Sequence, residues 1–226
     1  KESYEFGKNF CICAVGGYGR KVLAPYSDLD ILFIYKEDFE RERIQKIVEF
    51  FLFPLWDLGY KIGYAVRNET ESISLSRKDH IIQTSMLDMR KICGSSTIYI
   101  KVLKTFKKDI SKFGLKLLKK KILERKQRIV KIGYDYFRNE PDLKDNEGSL
   151  RDINLIFWGL KIFQTKVLNE PNKFFKLLSS KEKQKLRSSL EFLLLLRCHL
   201  HYLSGRVNDK LSFDYQKAIS KKIFKF

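Results

Sequence analysis

Val15-Gly16-Gly17-Tyr18-Gly19-Arg20, followed after a short spacer by Ser27-Asp28-Leu29-Asp30-Ile31-Leu32, is the stretch on which the fold turns. Ahead of the glycines runs Phe10-Cys11-Ile12-Cys13-Ala14-Val15, an apolar stretch that reads as a buried strand entering a tight turn. Residues 28–35 form a second run, apolar on both faces beyond Asp30, the pattern of a central strand. Adjacent glycines after a strand leave backbone N–H groups open to a polyphosphate. Eleven positions beyond Gly17 come Asp28 and Asp30, at i and i+2. That spacing puts two side chains on one face of a strand, about 6.6 Å apart at ~3.3 Å per residue. Phosphoryl-transfer sites hold two divalent ions ~3.5 to 4 Å apart, and a rigid carboxylate pair suits sharing them. Either aspartate alone would also suit a turn or a cap. Strand, Gly-Gly, spacer, Ser-Asp-x-Asp and strand together favour a metal-dependent phosphate site.

Outward from this stretch, Ile44, Ile47, Val48, Phe51, Leu52 and Leu55 recur at helical spacing and predict a helix over 40–58 that packs on the sheet. Pro54 implies a kink or an early end, and Gly59 a C-cap before a third strand at 61–66. After Asn68 strand-like alternation stops and the rest reads as helical. Ser76 or Asp79 caps a helix running to Cys93, with further helices expected at 97–108, 115–132, 149–163, 174–179, 183–204 and from 214 onward. The expected organisation is therefore an α/β unit over 1–70 and a helical bundle over 71–226.

Composition bounds the function. The 226 residues are 44% hydrophobic, enough for a sizeable core, and their longest apolar runs fall far short of the ~20 residues of a membrane-spanning helix. The four cysteines show no C-x-x-C pairing and no His partners at ligand spacing, so they read as reduced thiols of a cytoplasmic protein rather than a zinc site or disulfide framework. The formal charge of +18 invites a nucleic-acid reading. Lysines are spread almost everywhere, however, with local clusters at 119–121 and 181–185 and no accompanying RNA- or DNA-binding motif, which argues for a solvated surface. The chain opens Lys1-Glu2-Ser3-Tyr4, without initiator Met or signal core, and reads as a piece of a longer protein.

The pattern from Val15 to Leu32 resembles the polymerase-β-like nucleotidyltransferase superfamily, and its residues are most similar to the PII uridylyltransferase family. Three further blocks carry that resemblance in order: Leu55-Trp56-Asp57-Leu58-Gly59-Tyr60-Lys61-Ile62-Gly63 with Val66-Arg67; Asn139-Glu140-Pro141-Asp142-Leu143-Lys144 with Gly148-Ser149-Leu150-Arg151-Asp152; and Arg197-Cys198-His199-Leu200-His201 with Gly205-Arg206 and Asp209-Lys210-Leu211-Ser212-Phe213. The resemblance implies an α+β fold, a polymerase-β-like nucleotidyltransferase domain followed by an all-helical bundle domain. It implies transfer of UMP from UTP to a tyrosine of the PII nitrogen-regulatory protein, with Mg²⁺ as cofactor. By it Asp28 and Asp30 would hold the magnesium, Gly16 and Gly17 would line the triphosphate, and Ser27 and Arg20 would support it. Arg67, Lys144 and Arg151 are candidates to neutralise the leaving pyrophosphate, Arg151 having a rival role as an ion-pair or capping residue near a helix start.

The chain departs from the family pattern in places. Many superfamily members carry a third carboxylate on the next strand, but residues 61–67 contain none; Asp79 or Asp152 could substitute only through the fold. Ser149 stands where the family usually has a second glycine, a side chain that would tighten or obstruct its loop. The metal-dependent HD phosphohydrolase and glutamine-sensing ACT domains of the longer family architecture have no counterpart in the residues present, which points to the transferase arm alone. His199 and His201, on an otherwise apolar helix, read as packed residues rather than ligands. Three other readings compete: AMP transfer, as in the related glutamine synthetase adenylyltransferases; a catalytically silent regulatory fragment; and charge-driven nucleic-acid binding.

Overall fold

The computed structural model describes residues 7–133, 139–166 and 178–224. Four strands, β1 (Phe10–Ala14), β2 (Leu29–Tyr35), β3 (Ile62–Asn68) and β4 (Arg90–Gly94), form one mixed sheet in the order β3-β2-β1-β4. β1 runs antiparallel to both β2 and β4, whereas β2 and β3 are parallel. The two runs read as buried strands take the central places, and every residue of β1 is buried. Helix α1 (Gly16–Arg20) follows β1, and α2 (Arg41–Asp57) follows β2. Phe10, Ile12, Ile31, Phe33 and Tyr35 on one sheet face pack against Ile44, Ile47, Val48 and Leu52 of α2, the helical spacing seen in the sequence. Pro54 forfeits a hydrogen bond without ending α2, which runs on to Asp57. Gly59, at φ +80°, closes it: Gly59 N–H donates to Trp56 O at 2.8 Å and Tyr60 N–H to Leu55 O at 3.0 Å, a Schellman arrangement.

Beyond β3 the structure corrects the expectation of an all-helical remainder. Asn68 and Glu71 form a capping box at the start of α3 (Glu69–Lys78), and Asp79 caps α4 (His80–Leu87), accepting from Ile81 N–H at 2.6 Å. The helix expected to reach Cys93 stops at Leu87, and Arg90–Gly94 adds to the free edge of β1 as β4. The first compact unit accordingly comprises Lys1–Leu23 and Ser27–Lys112, not 1–70. A periodicity pattern can assign helices but not the unit they return to, and here β4 brings the chain back to the sheet. The boundary falls inside α5 (Ser96–Ile132), a single 37-residue helix where two were expected. Gly114, which lies between the two expected helices, is buried within it, and one helical glycine costs only about 1 kcal/mol.

The second unit comprises Phe113–Phe226 together with Ala24–Tyr26. Its described residues are helical in α6 (Leu150–Lys166), α7 (Ser180–Ser204) and α8 (Phe213–Ile219), the last running into a π turn at Ser220–Phe224. Leu143, Leu196, Leu200 and Ile219 form a core cluster. Ser179 and Glu182 make a capping box for α7, and Gly205 ends it at φ +64°. Residues 174–177 of the helix expected at 174–179 lie outside the described residues, and Ser179 is the N-cap of α7. The architecture is α+β, as expected.

Candidate active site

β1 ends at Ala14, and Val15 donates its N–H to the carbonyl of Asp30 at 3.0 Å, tying the turn to the neighbouring strand. The tight turn expected at Gly16-Gly17 is the first turn of α1, whose amides have no intrahelical acceptor. Gly16 is required twice over. Its φ is +54°, and a Cβ there would come within 2.8 Å of Asp30 Oδ2. On the other side, Asp30 stands opposite Gly63 in the parallel register, where a Cβ would lie 2.9 Å from Asp30 Oδ1. The carboxylate of Asp30 is thus seated between two glycines, one from the turn after β1 and one from β3. Asp28 precedes β2 and is exposed, while Leu29 N–H donates to Lys61 O at 2.8 Å and anchors the strand's first residue. The Ser27 hydroxyl oxygen is buried and has no hydrogen-bond partner among the described residues.

Two carboxylates at i and i+2, one exposed and one half-buried, form an all-oxygen donor set suited to Mg²⁺. Among the described residues no group of three or more His, Cys, Asp or Glu side chains is placed to hold a metal ion. Magnesium accepts that scarcity, because it is commonly held by one or two carboxylates with substrate phosphates and water completing the octahedron. The residues present therefore fit the ion.

α1 itself is clamped. Arg20 pairs with Asp88, whose side chain is fully buried. Arg90 donates to Tyr18 O at 3.0 Å and to Gly19 O at 3.3 Å, and its guanidinium lies 5.4 Å from the centre of the Tyr18 ring. A Cβ at Gly19 would collide with the Asp88 and Ala14 carbonyls, so only glycine allows this approach. Arg20, assigned by sequence to the phosphates, is thus held by a buried carboxylate and supports the loop from behind. Asp88 and Arg90 escaped sequence reasoning, as did Gly63, because nothing local distinguishes them.

The remaining sequence candidates are divided between the two units. Arg67 sits opposite Ile34, four residues along β3 from Gly63, which is about 13 Å from the Asp30 end at ~3.3 Å per residue. Burial lowers the pKa of its guanidinium, opposed by the charges of Asp79 and Glu71. Lys144 and Arg151 belong to the second unit. Lys144 lies in a turn organised by Asp142, with Nζ 3.9 Å from Asp209 Oδ2, and Arg151 pairs with Asp145. Ser149 tightens this loop, donating its hydroxyl to Lys144 O at 2.5 Å. The two carboxylates considered as a third ligand have other work: Asp79 caps α4, and Asp152 pairs with Arg125 at 2.8 Å and Arg128 at 2.7 Å.

Residues 4–92 match the family model described as a nucleotidyltransferase domain, a span that ends within β4, and residues 116–225 match GlnD PII-uridylyltransferase. The chain is similar to proteins named bifunctional uridylyltransferase/uridylyl-removing enzyme: 36% identical over 220 residues to that of Phenylobacterium zucineum and to that of Azospirillum brasilense, and 34% over 222 residues to that of Caulobacter vibrioides. Each alignment covers 96% of this chain and 23% of the relative, so the chain spans about a quarter of the length of these proteins.

Proposed function

Because this chain belongs to the PII-uridylyltransferase family, matching its nucleotidyltransferase and adjoining helical regions in order, we propose that it catalyses Mg²⁺-dependent transfer of UMP from UTP to a tyrosine of a PII protein. The tyrosine oxygen forms a bond to the α-phosphorus, the bond from that phosphorus to the bridging oxygen of the β-phosphate breaks, pyrophosphate leaves, and the phenolic proton passes to water. The observation that supports this reading best is the seating of Asp30 between Gly16 and Gly63, with Asp28 exposed beside it. Asp28 and Asp30 would hold the magnesium, which supplies neutralisation of phosphate charge when bound. The amides of Gly16 and Gly17 and the hydroxyl of Ser27 would donate to the triphosphate. Arg20 acts through the loop it braces. Arg67, Lys144 and Arg151 are kept as cations for the leaving group only in so far as binding of the substrates recruits them. The same reading places the protein in the cytoplasm.

The test is incubation with Mg²⁺, PII protein and labelled UTP or ATP, beside an Asp28→Ala, Asp30→Ala double variant. UTP-dependent labelling of the PII tyrosine is expected, abolished in the variant. Equal labelling by the variant would overturn the site; labelling from ATP alone would make the chain an adenylyltransferase; no transfer with retained PII binding would make it a silent fragment.

A further inference from the structure

Pro25, in the segment that delivers Ser27 and Asp28, is held by a residue 176 positions away. His201, on α7, has a side chain with no exposure, and its Nδ1 faces the backbone carbonyl of Pro25. A carbonyl only accepts, so Nδ1 carries the proton and donates it. On the other side of the ring, Nε2 lies 3.2 Å from Asp209 Oδ1. Arg197, one helical turn earlier, donates from Nε to that same oxygen at 2.6 Å, and its second contact reaches Oδ2 at 3.4 Å. Burying these groups costs free energy unless each is partnered, and here each is. Ala24–Tyr26 is the stretch of the first 112 residues that belongs with the second unit, while Leu23 and Ser27 on either side belong with the first. Tyr26 stands at φ +63°, a left-handed conformation uncommon for a residue with a side chain and sustained where its surroundings over-determine it.

Resting on the reading of Asp28 and Asp30 as the metal pair, we propose that His201, oriented by Asp209 and Arg197, is a positioning residue for nucleotidyl transfer: its bond to the Pro25 carbonyl fixes the turn from which Ser27 and Asp28 emerge. The functional atom is the Nδ1 donor. An asparagine amide can occupy the position of Nδ1, whereas a glutamine amide reaches only that of Nε2. His201→Asn therefore keeps the tie to Pro25, and His201→Gln keeps the contact with Asp209 alone.

Both variants of the intact chain would be assayed for Mn²⁺ affinity by electron paramagnetic resonance and for kcat and KM with UTP and PII, after melting curves establish that they are folded. Misplacing a reacting group by about 1 Å costs on the order of 100-fold. His201→Gln is expected to lose about tenfold or more in kcat and several-fold in Mn²⁺ affinity with KM for PII unchanged, and His201→Asn to stay within about twofold of the parent. Equal behaviour of the two variants, whether both intact or both impaired, overturns the proposal. If either melts out, Asp209→Asn carries the test, assayed well below its own melting temperature: weakened Mn²⁺ binding by the folded variant supports it, and unchanged binding overturns it. Asp28→Asn and Asp30→Asn serve as reference; retained Mn²⁺ affinity there would sink the metal-pair reading and this proposal with it, whereas its loss there beside indifferent His201 variants would overturn this proposal alone.

Discussion

Asp30 has little room to move, and the two glycines that confine it do so differently. A side chain at Gly16 would add the strain of a left-handed backbone to its encounter with the carboxylate, so a Gly16 variant confounds stability with activity. Gly63 carries no such backbone demand; a methyl group there meets only Asp30 Oδ1, at 2.9 Å. Gly63→Ala is therefore expected to displace the carboxylate by a few tenths of an ångström or more and to lower kcat about tenfold, with the urea midpoint almost unchanged. Steady-state kinetics beside a urea titration check this, and an unaltered kcat would show that Asp30 does not need its present position. The two aspartates and the glycine pair were legible because their spacing is local. Gly63, Asp88 and Arg90 were not, since each matters through a partner brought up by the fold: Asp30 for the first, Arg20 and the α1 carbonyls for the others.

At the scale of elements, the sheet is organised so that its two central strands carry the turn and the carboxylates at their ends, and the short helix between them is braced by the segment leading into β4. In the second unit the corresponding brace is α7. Burial pushes the Asp209 carboxyl up, but the hydrogen bond and charge of Arg197, with His201 and Lys144, outweigh it and hold the carboxyl below its ordinary range. A carboxylate depressed in the folded state stabilises the protein fully above its unfolded-state pKa and ceases to do so as pH falls through the folded-state value. The stability difference between the parent and Asp209→Asn, read from urea midpoints, is accordingly expected to be constant near neutrality and to shrink below about pH 4. A difference that grows on acidification would contradict the pairing. Helices α2, α6 and α7 were readable from their periodicity and caps, whereas the continuity of α5 was not, because a buried glycine inside a long helix leaves no trace that separates it from a break.

For the molecule as a whole, the charge of +18 is its most conspicuous bulk property, and no described helix is long and apolar enough to cross a membrane. Many of the basic side chains are committed locally, including Arg77 to Asp109 at 2.6 Å, Arg128 to Asp152 at 2.7 Å and Lys101 to Glu69 at 3.0 Å. Binding of a DNA or RNA oligonucleotide should then be a charge effect only, weak and falling by orders of magnitude between about 50 and 200 mM salt. A sequence-selective complex that survives the higher salt in a gel-shift or anisotropy titration would reverse that conclusion.

By itself the sequence determined the central pair of strands, the Gly-Gly turn, the position of the two carboxylates and the helix that covers one face of the sheet. Each of these is written in a period of two or of 3.6 residues, or in a spacing shorter than a single element, and such patterns survive without knowledge of the rest of the chain. Tertiary structure alone decided that Arg90–Gly94 would be a strand, that the first unit would end at Lys112, that Arg67 would stand far along β3 from Asp30, and that His201 would hold Pro25. Those outcomes depend on which edge was left unpaired and which buried polar group needed a partner. Both are properties of chain segments meeting across long separations, and no local pattern encodes them.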